Sequence, residues 1–296
     1  MLESFLENYP GKIRELALGA EGKKLILGGQ NTLPFHHFEG EPGRPKLALE
    51  IADSEPADWA DSLRQLYADV KSSPAAWAQK CVETYGADLI YLNLNSMEKD
   101  VPAAEIAAGV KQVAEAVSVP LVVFGLGDKG KDAAVLPEVA AACSGLNLLL
   151  GPVLRENFQE IAAAALEHGH AIVAQVPMDV NLAKDLNIKL GKVFPMERIV
   201  IDTLPSSLGY GLEYAYSTME RVRLSAVVHD DKILQHPLIA RVGKEVWKIK
   251  EASQDVRQGI FWEAVTALNL LLAGADMATL RHPESLHLLK SLTKVS

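Results

Sequence analysis

The chain has 296 residues, 49% of them hydrophobic, and a net charge of −9 from 29 Lys and Arg against 38 Asp and Glu. This content supports a substantial core, and the length suits one (βα)8 barrel with an N-terminal addition. The acidic balance offers no basic face for phosphate backbones, which excludes extended nucleic-acid binding, and no run reaches the ~18 uninterrupted apolar residues of a membrane span.

The N-terminal MLESFLENYPGKIRE places acids before its few bases and has no long apolar stretch, so it does not read as a secretory signal. KKLILGG (23–29) reads as a strand and NTLPFHHFEGEPGRP (31–45) as a long loop. Residues 1–45 are therefore read as an N-terminal hairpin or cap packed on a barrel of residues 46–296. From there, short apolar runs alternate with helical patterns. The runs are KLALEI (46–51), DLIYLNL (88–94), PLVVFG (120–125), LNLLLG (146–151), AIVAQV (171–176), RIVIDT (198–203), PLIARV (237–242) and ADMATL (275–280). Several are apolar on both faces, as buried parallel strands are. Pro74 and Pro102 open helices, and Gly86, Gly169 and Gly274 close them. Eight strand–helix units predict a TIM barrel, with an open doubly wound sheet as the alternative.

Two cysteines, Cys81 and Cys143, lie in apolar helical contexts and read as inert thiols of a reduced, cytoplasmic protein. A [4Fe–4S] cluster takes four thiolates, so this chain alone does not supply one. GLGDKGKD (125–132) contains G-x-x-x-x-G-K, but Asp132 stands where a phosphate-binding loop needs Ser or Thr, and it reads as a plain βα loop. No zinc pattern connects the eight histidines. His168 and His170 flank a helix end, His36 and His37 sit on the N-terminal loop, and His282 directly follows the last strand.

The working face of a TIM barrel lies at the C-terminal strand ends. Here those ends bring Glu50, Asp53, Asn93, Gln175, Asp179, Asn181, Asp202 and the LGYG loop (208–211) to one rim, which lacks a close carboxylate pair or an activated nucleophile. Amides and glycines suit a large, polar-edged ligand. Gln175, Asp179, Asn181, Gly209, Tyr210, Gly211 and His282 are the candidate cofactor-binding residues; no catalytic or metal-binding residue is assigned. Glu220 and Arg223, three apart, are expected to pair along their helix.

AIVAQVPMDVNLAKDLNIKL (171–190), RIVIDTLPSSLGYGLEYAYSTMERVRL (198–224), LPFHHFEGE (33–41), WAQKCVETYGADLIYL (77–92), GLNLLLG (145–151), WKIKEAS (247–253) and FWEAVTALNLLLAGAD (261–276) occur in an order that resembles the small subunit of the corrinoid iron–sulfur protein of the CO dehydrogenase/acetyl-CoA synthase system. The resemblance implies a TIM barrel in a heterodimer with a large subunit that carries the [4Fe–4S] cluster. It also implies a corrinoid (cobalamin) shared between that subunit and the barrel mouth. The pair would carry a methyl group from a methyltetrahydrofolate methyltransferase, or its counterpart for a related pterin, to acetyl-CoA synthase in the reductive acetyl-CoA (Wood–Ljungdahl) pathway. The sequence departs from the family in having only QDVRQGI (254–260) between WKIKEAS and FWEAV, IDTLPSSLGYG where Asp-Pro is common, and GLN in place of GEN. Two further readings stand beside this one. The first is a pterin-dependent methyltransferase using Asn93, Asp202 or Gln175; the second is a purely structural subunit.

Overall fold

A computed structural model describes residues 6–36, 39–99 and 101–293. Eight parallel strands close into a barrel: β3 (Lys46–Ala52), β4 (Leu89–Asn93), β5 (Leu121–Phe124), β6 (Leu149–Val153), β7 (Ala171–Gln175), β8 (Ile199–Asp202), β9 (Leu238–Arg241) and β10 (Met277–Leu280), with β10 pairing to β3. All eight expected apolar runs supply a strand, and the architecture is the TIM barrel. The strands are apolar on both faces because each feeds two cores. Ala48, Leu89, Tyr91, Val122, Phe124, Leu149, Val173, Val200, Ile239 and Met277 point inward. Their neighbours, such as Leu49, Ile90, Leu92, Val123 and Ile201, face the surrounding helices.

Before the barrel, β1 (Leu16–Leu18) and β2 (Leu25–Leu27) form an antiparallel hairpin. Leu16, Leu18 and Leu27 join the inner cluster, so the hairpin plugs the N-terminal end of the barrel. The loop of 31–45 contains no helix or strand among its described residues; His37 lies outside them.

The helices are α1 (Asp61–Leu66), α2 (Pro74–Glu83), α3 (Ala103–Ala116), α4 (Lys129–Ala142), α5 (Phe158–Glu167), α6 (Val180–Leu190), α7 (Leu212–Val227), α8 (Val242–Trp247), α9 (Lys250–Gln254), α10 (Val256–Leu272) and α11 (Pro283–Thr293). Their starts follow capping chemistry. Asp128, Asp179 and Asp255 each accept two backbone N–H groups at the openings of α4, α6 and α10, and Ser73 caps α2 ahead of Pro74. The short seventh loop has a direct consequence: Asp255 is both the end of α9 and the cap of α10, so the two helices abut.

Arg223 corrects one expectation. It does not pair with Glu220 but turns inward, 2% exposed, and donates to Asp276 Oδ2 at 2.6 Å and to the Gly274 carbonyl. Asp276 also accepts from the Leu238 N–H and from Gln30. One buried carboxylate thus ties α7, β9, β10 and the N-terminal segment together at the closed end.

Candidate functional site at the barrel mouth

Alternation along each strand puts every second residue inside the barrel. Above the apolar inner layer the next inward positions are polar: Glu50, Asn93, Gln175, Asp202, Arg241, Thr279 and Arg281. Asn93 donates to the Ile51 carbonyl, and the others pair with one another. Asp202, fully buried, accepts from Gln175 Nε2 at 2.9 Å and from Arg241 Nε at 2.5 Å on one oxygen, and from the Leu204 N–H at 2.9 Å on the other. Leu204 is held with φ +53°, a strained conformation for a non-glycine residue, directly beneath the loop of 205–211. Arg241 lies 4.5 Å from the Phe124 ring centroid, and Phe124 stacks on Tyr91. Burial works to lower the Arg241 pKa, but the adjacent Asp202 carboxylate outweighs it and raises the pKa.

A second group sits across the β10–β3 seam. Glu50 accepts from Thr279 Oγ1 at 2.6 Å and Arg281 Nε at 2.8 Å. Arg281 covers the Trp59 ring at 4.7 Å, and its carbonyl accepts from Tyr67. Gly243 permits this arrangement, because a Cβ there would lie 2.8 Å from Arg281 Cγ and 2.9 Å from Glu50 Oε1.

Behind Arg281, fully buried Glu263 on α10 accepts from Trp247 Nε1 and from the Arg281 and His282 N–H groups. Burial pushes its carboxyl up to about 7. His282 is 8% exposed and stacks on Trp247; its Nδ1 accepts from the Glu284 N–H at 3.1 Å. Burial pushes its pKa down to about 4, so the ring is neutral and acts as the cap of α11. It braces the rim from behind.

The remaining candidates lie on or beside two loops, Gln175 ending β7 and Asn181 in the first turn of α6. Gln175 is buried with its amide nitrogen committed to Asp202. Asp179 is exposed, with Oδ1 accepting the Asn181 and Leu182 N–H groups. Asn181 is exposed, and its side-chain amide has no hydrogen bond among the described residues. Gly209 and Gly211 have φ +75° and +98°, conformations that favour glycine, and they present Tyr210, 54% exposed, whose hydroxyl reaches Glu251 at 3.0 Å. The loop is anchored from below by Trp262 Nε1 on the Leu208 carbonyl and Thr266 on the Leu208 N–H. Ser206 lies 4.0 Å from Met178, so the β7 and β8 loops meet. Gln175, Asp202 and the two loops thus form one side of the mouth, while His282 stands on the other with Arg281 and Glu263.

Sequence reasoning passed over Arg241 and Glu263. Asp132 explains the failed nucleotide motif: its buried carboxylate accepts the Leu126 and Gly127 N–H groups, the donors that a phosphate would need. Burial pushes its pKa up to about 6. His170 is likewise internal, accepting from the Leu148 N–H and contacting the Ala140 carbonyl. Both cysteines are buried, with the Cys81 thiol pushed up to about 12 by burial. Among the described residues no cluster of His, Cys, Asp and Glu is arranged to hold a metal ion, and no helix is long and apolar enough to cross a membrane. A cavity of about 680 Å³ lies at the closed end, under Pro34, Phe35 and Arg44, away from the mouth.

These features define a TIM-barrel protein with an open face of paired charges and exposed loop amides. Solved dihydropteroate synthases share the architecture. The Xanthomonas albilineans enzyme with 4-aminobenzoic acid has a TM-score of 0.62 at 14% identity, over 95% of this chain and 100% of that one. The Coxiella burnetii enzyme in complex with pteroic acid has a TM-score of 0.61 at 11% identity, over 95% and 98%. At such identities the likeness is one of fold.

Sequence is more specific. The description "CO dehydrogenase/acetyl-CoA synthase delta subunit" matches residues 15–295. The acetyl-CoA decarbonylase/synthase complex subunit delta of Archaeoglobus fulgidus is 35% identical over 316 residues, covering 98% of this chain and 70% of that protein. Subunit delta 1 of Methanosarcina thermophila is 36% identical over 294 residues, covering 93% and 67%. The Methanothermobacter thermautotrophicus subunit delta is 34% identical over 300 residues, covering 97% and 76%. The chain belongs to the CO dehydrogenase/acetyl-CoA synthase delta subunit family, the small-subunit family that its sequence words resemble.

Proposed function

We propose that this chain is the non-catalytic small subunit of a corrinoid iron–sulfur protein, whose barrel mouth covers a corrinoid held by a large subunit. The observation that carries the reading, beside the family, is that the charged groups inside the barrel mouth, Glu50, Asp202, Arg241 and Arg281, are consumed by one another and by neutral donors, while the rim carboxylates Asp53 and Asp179 are held by Ser96 and by backbone N–H groups. Asp202 is saturated by Gln175, Arg241 and Leu204, and Glu50 by Arg281 and Thr279. A pterin-dependent methyltransferase would need an acid or an open carboxylate inside the mouth, where Glu50 and Asp202 are both engaged, whereas a rigid polar plate needs none.

The residues suit an amide-fringed macrocycle. Asn181 offers an uncommitted amide, and Tyr210 a flat ring with a polar tip. Backbone at Gly209 and Gly211 allows close approach. Asp179 and Gln175 fix the two loops, and His282 braces the opposite rim as a positioning group. The corrinoid cobalt supplies the methyl-transfer chemistry; this chain orients the ring and limits water at its exposed face. The [4Fe–4S] cluster is assigned to the large subunit. The methyl donor is assigned to a methyltetrahydrofolate or related pterin methyltransferase, and the acceptor to acetyl-CoA synthase.

Asn181→Ala and Tyr210→Ala are each expected to weaken corrinoid retention by the reconstituted heterodimer about 5- to 10-fold, the worth of roughly one hydrogen bond. Thermal stability of the chain itself should not change. Cobalt content after gel filtration measures the effect, and wild-type retention in both variants would remove these residues from the site.

A further inference from the structure

The cavity of about 680 Å³ at the closed end has the size of a small-ligand pocket. It lies between the N-terminal loop of 31–45, the start of β3 and the end of α10. A segment that only plugged the barrel would fill such a space, because protein interiors pack closely.

The floor of the cavity is formed by Gln30 and Asp276, 7% and 5% exposed. Asp276 is fully engaged, since Gln30 Nε2, Arg223 and the Leu238 N–H all donate to it. Gln30 is only half engaged. Its Oε1 is buried and accepts from no group among the described residues, whereas buried polar atoms are almost always paired. Gly43 keeps this oxygen open. Its φ is +75°, and a Cβ there would stand 3.3 Å from Gln30 Oε1.

The rim carries the opposite chemistry. Arg44 follows Gly43 and is exposed; Lys46 is half-buried, and its backbone N–H donates to the Asp276 carbonyl at 2.9 Å. Neither side chain has an ion pair or hydrogen bond among the described residues. Of the other charges in the wall, Lys290 is paired with Asp88 at 3.0 Å, and Glu41 stands against the two cations. A single unpaired cation is ordinary on a surface. Two of them beside a concave space whose floor ends in an orphan acceptor are not. Between floor and rim, Phe35 and Leu271 supply apolar wall, and Phe35 is held at φ +62°, a strained conformation for a non-glycine residue.

We propose that this cavity binds a nucleoside monophosphate whose base carries an amino group. The amino group donates to Gln30 Oε1 at the floor, the base lies along Phe35 and Leu271, and Arg44 and Lys46 hold the phosphate at the rim. Burial sets this direction: the acceptor is inside and the cations are outside, so the donor end enters first. A simple phosphate or carboxylate would satisfy the rim and leave Gln30 unpaired. The site lies at the opposite end of the barrel from the mouth and goes beyond the function proposed there.

The test titrates the full chain with AMP, GMP and CMP by calorimetry. At least one of them is expected to bind one-to-one with a Kd below about 1 mM. Its nucleoside and inorganic phosphate should each bind at least about tenfold more weakly. Arg44→Met and Lys46→Met should each weaken the nucleotide about tenfold or more, whereas Lys192→Met, which removes an exposed cation outside the cavity, should change it less than about twofold. Thermal melts check that each variant is folded. Should a rim variant fold poorly, amide hydrogen exchange on the wild type decides: residues 41–46 and 271–276 are slowed by saturating nucleotide if the proposal holds, and unchanged if it fails. Inorganic phosphate that binds as tightly as the nucleotide would reduce the rim to an adventitious anion patch and overturn the proposal. A nucleoside that binds as well without its phosphate overturns it too, as does the absence of binding by all three nucleotides. None of these failures touches the reading of the mouth, which cobalt retention tests separately.

Discussion

Asp202 is the residue on which the mouth turns. It is fully buried and receives three donors from three different segments. Removing one partner of a buried pair strands the other charge, which costs about 3–5 kcal/mol. Asp202→Ala is expected to lower unfolding free energy by that amount in urea titrations, whereas adding Arg241→Met should recover much of it by removing the stranded guanidinium. Glu263 gives a pH signature. Its folded-state pKa is raised from 4.5 to about 7, so the folded protein binds a proton that the unfolded chain releases between those values. Its contribution is fully present below about pH 4.5 and is lost as pH rises through about 7. The wild-type minus Glu263→Gln difference in unfolding free energy is therefore expected to become less favourable to wild type from pH 4.5 to pH 8. A flat difference would mean that Glu263 does not titrate in this window.

At the scale of elements, the strands were legible because hydrophobic patterning is local. Runs such as IVID and LIAR are apolar on both faces, and turn residues punctuate them. Helix starts were legible where Pro marks them, as at Pro74 and Pro102, but the Asp caps of α4, α6 and α10 were not read. The charges within those elements were not. Arg241 ends a strand that otherwise reads as apolar, and its partner Asp202 is 39 residues away. Arg223 looks like half of a surface pair with Glu220, yet its partner is Asp276, 53 residues on. Glu50 and Arg281 meet across 231 residues. Such pairings follow from barrel closure, which periodicity implies but does not map residue by residue. The candidate loops were legible for a different reason. Gly209-Tyr210-Gly211 breaks an otherwise regular strand–helix unit, and that irregularity is visible in the sequence. His282 was visible for its place after the last strand, but its role as a helix cap depends on Trp247 and Glu284.

On the whole molecule, the two ends of the barrel do different work. The closed end is plugged by the β1–β2 hairpin and stapled through Asp276, so it supplies rigidity. The open end is a plate of paired charges under two exposed loops. On the function proposed above, a barrel so arranged presents a shaped surface to something carried by another chain. The family, a subunit of the acetyl-CoA decarbonylase/synthase complex, agrees with that division of labour. The most direct measurement is to purify the chain together with its large subunit, and to record the absorption spectrum and cobalt content of the pair and of each chain alone. The account predicts a brown one-to-one pair that contains cobalt and loses it when Asn181 and Tyr210 are both replaced by alanine. A colourless chain that stays by itself, or a pair whose corrinoid is indifferent to the barrel's presence, would contradict it.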